Sequence, residues 1–232
     1  VPGDRLLRIL GRLTANGDEQ PGTTRRLCQV CVEAVNVTGA GVMLMSDDVR
    51  RGSLCSSNEV SSLIEDLQYT LGEGPCVDAY TSDAPVLEPD LASPRAPRWL
   101  AFTPPAVAAG ARAVFGFPMR VGAVRLGALN LYLDLPGGLS DDQHADALVM
   151  AGVAAQAILA IQAQAPPGAL AAELEAGSNL HLVVHQAAGM IAAQLDVSIA
   201  EALIRLRGHA FAIDRSLAEV AGDVVARTLR FS

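Results

Sequence analysis

Lysine is absent from this 232-residue chain: all 17 basic side chains are Arg, against 25 Asp and Glu, for a formal charge of -8. With that balance any hold on nucleic acid has to come from local clusters of charge, not from a generally basic surface. Aromatics make up only 4% of the residues, so stacking positions are few. No long apolar run is present either. The stretch from Ala145 to Ile161 is broken by Asp146 and Gln156 and is read as falling short of a membrane span, and Val1-Pro-Gly-Asp-Arg5 leads into a mixed segment unlike a secretory leader. A soluble, cytoplasmic protein is expected.

Cysteine is sparse, and all four (Cys28, Cys31, Cys55, Cys76) lie in the first third. Cys28-Gln-Val-Cys31 has the spacing of a redox or zinc motif, but the second Cys or His pair is missing, so both are read as buried helix positions in a reducing compartment. Signs of catalysis are lacking. Gly72-Glu-Gly has neither the Lys of a phosphate loop nor the full glycine pattern of a dinucleotide loop. His181 and His185 sit one helical turn apart, but Leu182-Val-Val184 between them offers no carboxylate and no third ligand is evident, so neither a metal site nor an enzyme is expected.

What is present is apolar material for two cores, half of all residues, divided by Ala165-Pro166-Pro167-Gly168. Residues 1–164, with an ordered core from about 20, form the expected first domain; 165–168 are a linker and 169–232 the second domain. In the first, Leu27, Val30, Cys31, Ala34 and Val35 share a helical face, and Gly41-Val-Met-Leu-Met45 with Ser53 to Ser57 reads as a hairpin. Glu59 to Tyr69 is helical, and a further helix opens at Pro75. Strands follow at Pro85 to Glu88, Ala113 to Met119 and Leu126 to Leu133. Ser140-Asp-Asp-Gln143 is a capping box that opens a long helix to about Gln164.

The second domain is helical throughout. Leu170, Leu174, Gly177, His181, Val184, Ala188, Ile191 and Leu195 recur at heptad spacing, as a partner seam or a core stripe. Ser198-Ile-Ala-Glu201 and Ser216-Leu-Ala-Glu219 are capping boxes for two further helices. The expected fold class is α+β: an antiparallel sheet flanked by helices, then an all-α three-helix bundle.

The segments Gln186-Ala-Ala-Gly-Met190, Ala202-Leu-Ile-Arg-Leu-Arg207, Ala210, and Leu217-Ala-Glu-Val-Ala221 with Val224-Val225 resemble the ANTAR domain, an RNA-binding output module of bacterial antiterminators. Ala188 departs from the polar or basic residue common there. The first domain resembles a GAF domain in its element order, its Gly72-Glu-Gly-Pro-Cys76 loop and its closing helix, and the two domains are commonly paired in actinobacteria. The resemblance implies a signal-responsive homodimer that binds paired RNA stem-loops and promotes transcription antitermination.

On that reading the RNA contacts fall to Gln186, Ala187, Gly189, Arg205, Arg207, His209 and Arg215, with Arg227 and Arg230 as further phosphate contacts. Phe211 and Phe231 are the aromatics available for stacking, Phe211 being read first as core. Residues 168–232 hold five Arg against seven Asp or Glu, about -2 in all, so RNA affinity is expected to be salt-sensitive. Cys76, Phe115 and Phe117 are the candidate ligand pocket. No cofactor is evident: His144, the one His of the first domain, is poorly placed for haem, Cys76 is the candidate for a bilin, and an unknown small molecule or an empty pocket remain open. The runner-up is an adaptor whose helical domain docks another protein; duplex DNA ranks third.

Overall fold

The computed structural model describes residues 2–14, 23–46, 49–94, 98–164, 179–213, 215 and 217–231. The chain divides into two compact units, Val1–Pro167 and Gly168–Ser232.

In the first unit, helices α1 (Pro2–Thr14) and α2 (Thr23–Val35) precede a hairpin of β1 (Gly39–Ser46) and β2 (Val49–Ser56). Then come α3 (Glu59–Leu71), α4 (Pro75–Ser82), β3 (Val86–Glu88), α5 (Thr103–Ala108), β4 (Ala113–Val121), β5 (Val124–Leu133) and α6 (Asp141–Gln164). The five strands form one antiparallel sheet in the order β2-β1-β5-β4-β3. Local chemistry sets the boundaries. Asn36, at φ 57°, stops α2, and Gly72, at φ 74°, closes α3 with its N–H on the Gln68 carbonyl. The Ser140 box forms as expected: the Gln143 N–H donates to Ser140 Oγ at 3.2 Å and the Ser140 N–H to Gln143 Oε1 at 3.0 Å. The Gln143 amide also donates to the Val35 and Asn36 carbonyls, tying the start of α6 to the end of α2.

Because side chains alternate along a strand, register decides what each face holds. Val42 with Leu129 and Phe117, and Ala40 with Leu131 and Phe115, face α2 and α6. Gly41 with Asn130 and Gly116, and Gly39 with Tyr132 and Val114, face α3, α4 and α5. On this second side Ile64, Leu91, Trp99, Phe102, Val114 and Tyr132 form a buried apolar cluster.

Three expectations are corrected. By length and composition Asp141–Ile161 does qualify as a membrane span; Ala147, Met150, Ala154 and Ile158 are buried in the first unit, as in a core helix. Helix α1 lies where the sequence suggests only a mixed segment, with Ile9 buried and Arg5 and Arg8 both on Asp146, at 2.8 and 2.7 Å. The carboxyl of Asp146 is 8% exposed; burial pushes its pKa up, but the two guanidinium groups outweigh it and hold the pKa below the ordinary value. Finally, Cys28 is bonded to Cys55, joining α2 to β2, while Cys31 and Cys76 are free and buried. Plain core packing of Cys28 therefore gives way to a cross-link, and the four cysteines are not all reduced. In a reducing compartment such a bond tracks the redox state instead of persisting.

The second unit consists, among the described residues, of α7 (Asn179–Leu195), α8 (Ile199–Ala212) and α9 (Leu217–Val225), with α7 against both others. Val184, Ala187, Ala188 and Ile191 of α7 meet the burial stripe Ala202, Leu203, Leu206 and Ala210 of α8 and Leu217, Val220, Ala221 and Val224 of α9. Small alanines at these positions let the helix axes come close. Ser198 caps α8, accepting from the Glu201 N–H at 3.2 Å. Residues 165–178, with the start of the heptad pattern and the Pro-Pro linker, and Ser216 of the last box lie outside the described residues.

Candidate functional site

The α3 face turned to the sheet is polar where a core helix is usually apolar. Ser61, Glu65 and Gln68, spaced four and three residues apart, are all buried. Glycines in the sheet make this possible. A Cβ on Gly41 would lie 2.6 Å from Glu65 Oε1, and one on Gly116 would lie 2.3 Å from the Pro75 carbonyl oxygen. In register between those two glycines stands Asn130, also buried. The start of α4 thus comes down onto the sheet, and Gln68 Oε1 accepts the Cys76 backbone N–H at 2.7 Å.

Five buried polar atoms in this cluster have no hydrogen-bond partner: both oxygens of Glu65, Nε2 of Gln68, and both amide atoms of Asn130. Each such atom costs on the order of 1–3 kcal/mol relative to one paired with protein or water, so a group of five makes this cluster the candidate place for ordered water or a ligand. Burial pushes the Glu65 pKa up to about 8, the negative Asp66 adds to it, and the Asn130 amide pulls the other way without a well-formed bond. Glu65 is therefore a neutral acid at pH 7. Burial likewise raises the Cys76 thiol well above its ordinary value, with Glu65 contributing, so Cys76 is no ready nucleophile.

A strap over this side of the sheet is pinned by charge. Glu73 Oε1 accepts the N–H groups of Ala101 and Phe102 at 2.7 and 2.8 Å, and the Trp99 indole donates to Asp78 at 2.9 Å. Arg98 stacks on Trp99 at 4.5 Å and reaches Glu88 at 3.5 Å. The glycine-rich loop thus anchors the strap.

The sequence-predicted pocket does not assemble. Cys76 belongs to this cluster, but Phe115 and Phe117 lie on the opposite face of the sheet, where Phe117 meets the ring of His144 at 5.3 Å. Glu65, Gln68 and Asn130 were missed, although a readable signal exists: Asn130 interrupts the apolar run Ala128-Leu-Asn-Leu-Tyr132.

In the second unit Gln186 and Gly189 are exposed, whereas Ala187 is buried in the bundle and cannot touch RNA. Arg205 is exposed but paired with Glu201 at 2.6 Å, and Arg215 with Asp223 at 2.7 Å. Arg207 is half-buried, and His209 packs on Phe231 at 5.2 Å. Phe211, expected in the core, is 71% exposed, and Ile204 on the same helix is 66% exposed.

The model for the GAF domain matches residues 20–159. The chain belongs to the GAF domain family. Three solved GAF domains show the likeness. The one from a phosphoenolpyruvate-protein phosphotransferase of Coxiella burnetii is 16% identical and matches 69% of this chain and 96% of its own, with a TM-score of 0.50. That from an Acinetobacter phosphoenolpyruvate-protein phosphotransferase is 13% identical over 70% of this chain and 95% of its own, TM-score 0.49. The phycocyanobilin-bound GAF domain of a cyanobacterial phytochrome is 15% identical over 71% and 97%, TM-score 0.49. At such identities the likeness is one of fold. No curated protein matches the chain. The GAF domain makes a signal-sensing role the coarse assignment for the first unit.

Proposed function

We propose that this chain is a non-enzymatic, signal-responsive regulator. Its GAF domain receives a small molecule at the Glu65–Gln68–Asn130 cluster, and its C-terminal helical unit binds RNA stem-loops and promotes transcription antitermination. The observation that carries the sensing half is the set of five unpartnered buried polar atoms. A bilin bound as in the cyanobacterial GAF domain fits less well, because the Cys76 thiol is buried and held protonated.

Support for the output half is the resemblance of Gln186 to Val225 to the ANTAR domain, together with the exposed Gln186, Gly189 and Arg205. Since Arg205 and Arg215 are each engaged by a carboxylate, phosphate has to outcompete Glu201 and Asp223, which lowers the affinity; the phosphate contacts themselves make it salt-sensitive. The regulator acts as a homodimer in the cytoplasm, two modules on two stem-loops gaining from effective concentration. A second reading, docking of another protein, draws on the exposed Ile204 and Phe211. Substituting Arg205→Ala with Arg207→Ala separates them: loss of stem-loop binding with unchanged helicity supports the RNA reading, and unchanged affinity overturns the proposed face.

A further inference from the structure

We propose that the Glu65 cluster receives a small ligand bearing an amidinium or guanidinium group, which enters in exchange for the Glu65 proton. The inference rests on the reading of this cluster as the place where the signal binds. It follows from what the unpartnered atoms ask for. Glu65 offers two carboxylate oxygens and Asn130 a third acceptor, Oδ1, on adjoining elements α3 and β5. Two parallel N–H donors on a planar cation match the carboxylate fork, and a third N–H can reach Asn130. Gln68 Nε2 and Asn130 Nδ2 are left to donate to an oxygen elsewhere on the same ligand.

Charge points the same way. The neighbours that act on Glu65 are Asp66 on α3 and Asn130 on β5; the Cys76 thiol on α4 feels Glu65 in turn, and β1 presents only Gly41. None supplies a positive charge, and among the described residues no Arg or His bonds to Glu65. An anionic ligand would add a second negative charge beside Asp66. A divalent metal would find one carboxylate and too few free oxygens. An amidinium instead pairs with the carboxylate it creates. The Glu65 O–H bond breaks, its proton leaves to solvent, and the ligand brings the one positive charge that left, so the buried cluster remains neutral overall.

Such an exchange has a pH signature. With Glu65 titrating at about 8 in the free protein, affinity for the cation should rise about tenfold per pH unit from pH 5.5 to 7.5 and level off above 8. Close to one proton should be released per ligand bound at pH 7.

The test uses the full chain and three probes of similar size: acetamidinium, acetamide and acetate, titrated calorimetrically in two buffers of different ionisation enthalpy at pH 6, 7 and 8.5. The carboxyl 13C shift of Glu65 is followed in parallel. The expected result is saturable acetamidinium binding with that pH slope, that proton release and a downward move of the Glu65 titration. Glu65→Gln should lose binding by tenfold or more, whereas the exposed Glu59→Gln on the same helix should not. Acetamide or acetate bound in place of acetamidinium, with binding lost in Glu65→Gln, keeps the cluster as the receiving site but overturns the cation. Absence of binding by all three, with the Glu65 resonance unmoved, overturns both this proposal and the sensing site it rests on.

Discussion

Replacing Glu65 by Gln should stabilise the GAF domain at alkaline pH and leave it nearly unchanged in acid. In the folded chain Glu65 titrates at about 8, against an ordinary value of 4.5, because burial disfavours the carboxylate. A raised folded pKa means that the stabilising contribution of the neutral acid is fully present below 4.5. Between 4.5 and 8 the unfolded chain ionises while the folded one holds its proton, so stability falls by about 1.4 kcal/mol per pH unit. Above 8 the contribution is gone, a total loss on the order of 5 kcal/mol. Gln keeps the shape and cannot ionise, so the variant lacks this slope. Trp99 is the single tryptophan, buried in the first unit, and its fluorescence in a urea titration reports that unit alone. At pH 5.5, 7.0 and 8.5, without reductant, the variant should gain on the wild type by several kcal/mol across the range, other groups cancelling in the difference. A stability difference that stays flat over these pH values refutes the buried, proton-holding Glu65.

Three other outcomes follow from the same structure. Reducing the Cys28–Cys55 bond, which closes a 27-residue separation, should cost about 3–4 kcal/mol of first-unit stability, and thiol titration of the denatured chain should rise from two to four groups. Gly116→Ala drives a Cβ into the Pro75 carbonyl and should cost roughly 1–3 kcal/mol, whereas Gly152→Ala, on an open face of α6, should stabilise by up to about 1 kcal/mol; melting curves rank the two. Glu73→Ala removes the acceptor of two strap N–H groups, and should red-shift Trp99 emission and lower stability by about 2–3 kcal/mol.

How much of this could be read from residues varied with the kind of signal. Local chemistry carried well: the Ser140–Gln143 box, the Pro75 helix start and the strands 113–119 and 126–133 occur where expected, within a few residues. Periodicity identifies which strand residues share a face, but not which face a helix with polar inward residues will cover. That is why the sequence alone does not separate Phe115 and Phe117 from Cys76, which lies across the sheet from them. Phe211 went astray for a related reason, since Ala202, Leu203, Leu206 and Ala210 already fill the inward stripe of α8 and leave the larger ring outside. The Cys28–Cys55 link depends on α2 packing on the hairpin, a long-range fact no spacing reveals. Glu65 and Gln68 look like ordinary helix polar residues until the glycines of β1 and β4 and the register of Asn130 bring the floor of the sheet to them.

The most direct test of the regulator as a whole is an affinity measurement of the full chain on a two-stem-loop RNA from its own operon leader, beside duplex DNA of equal length, at moderate salt. Selective binding of the RNA, weakened by added salt, is the expected result. Equal affinity for both, or no binding by a chain shown to be folded and dimeric, would contradict the account.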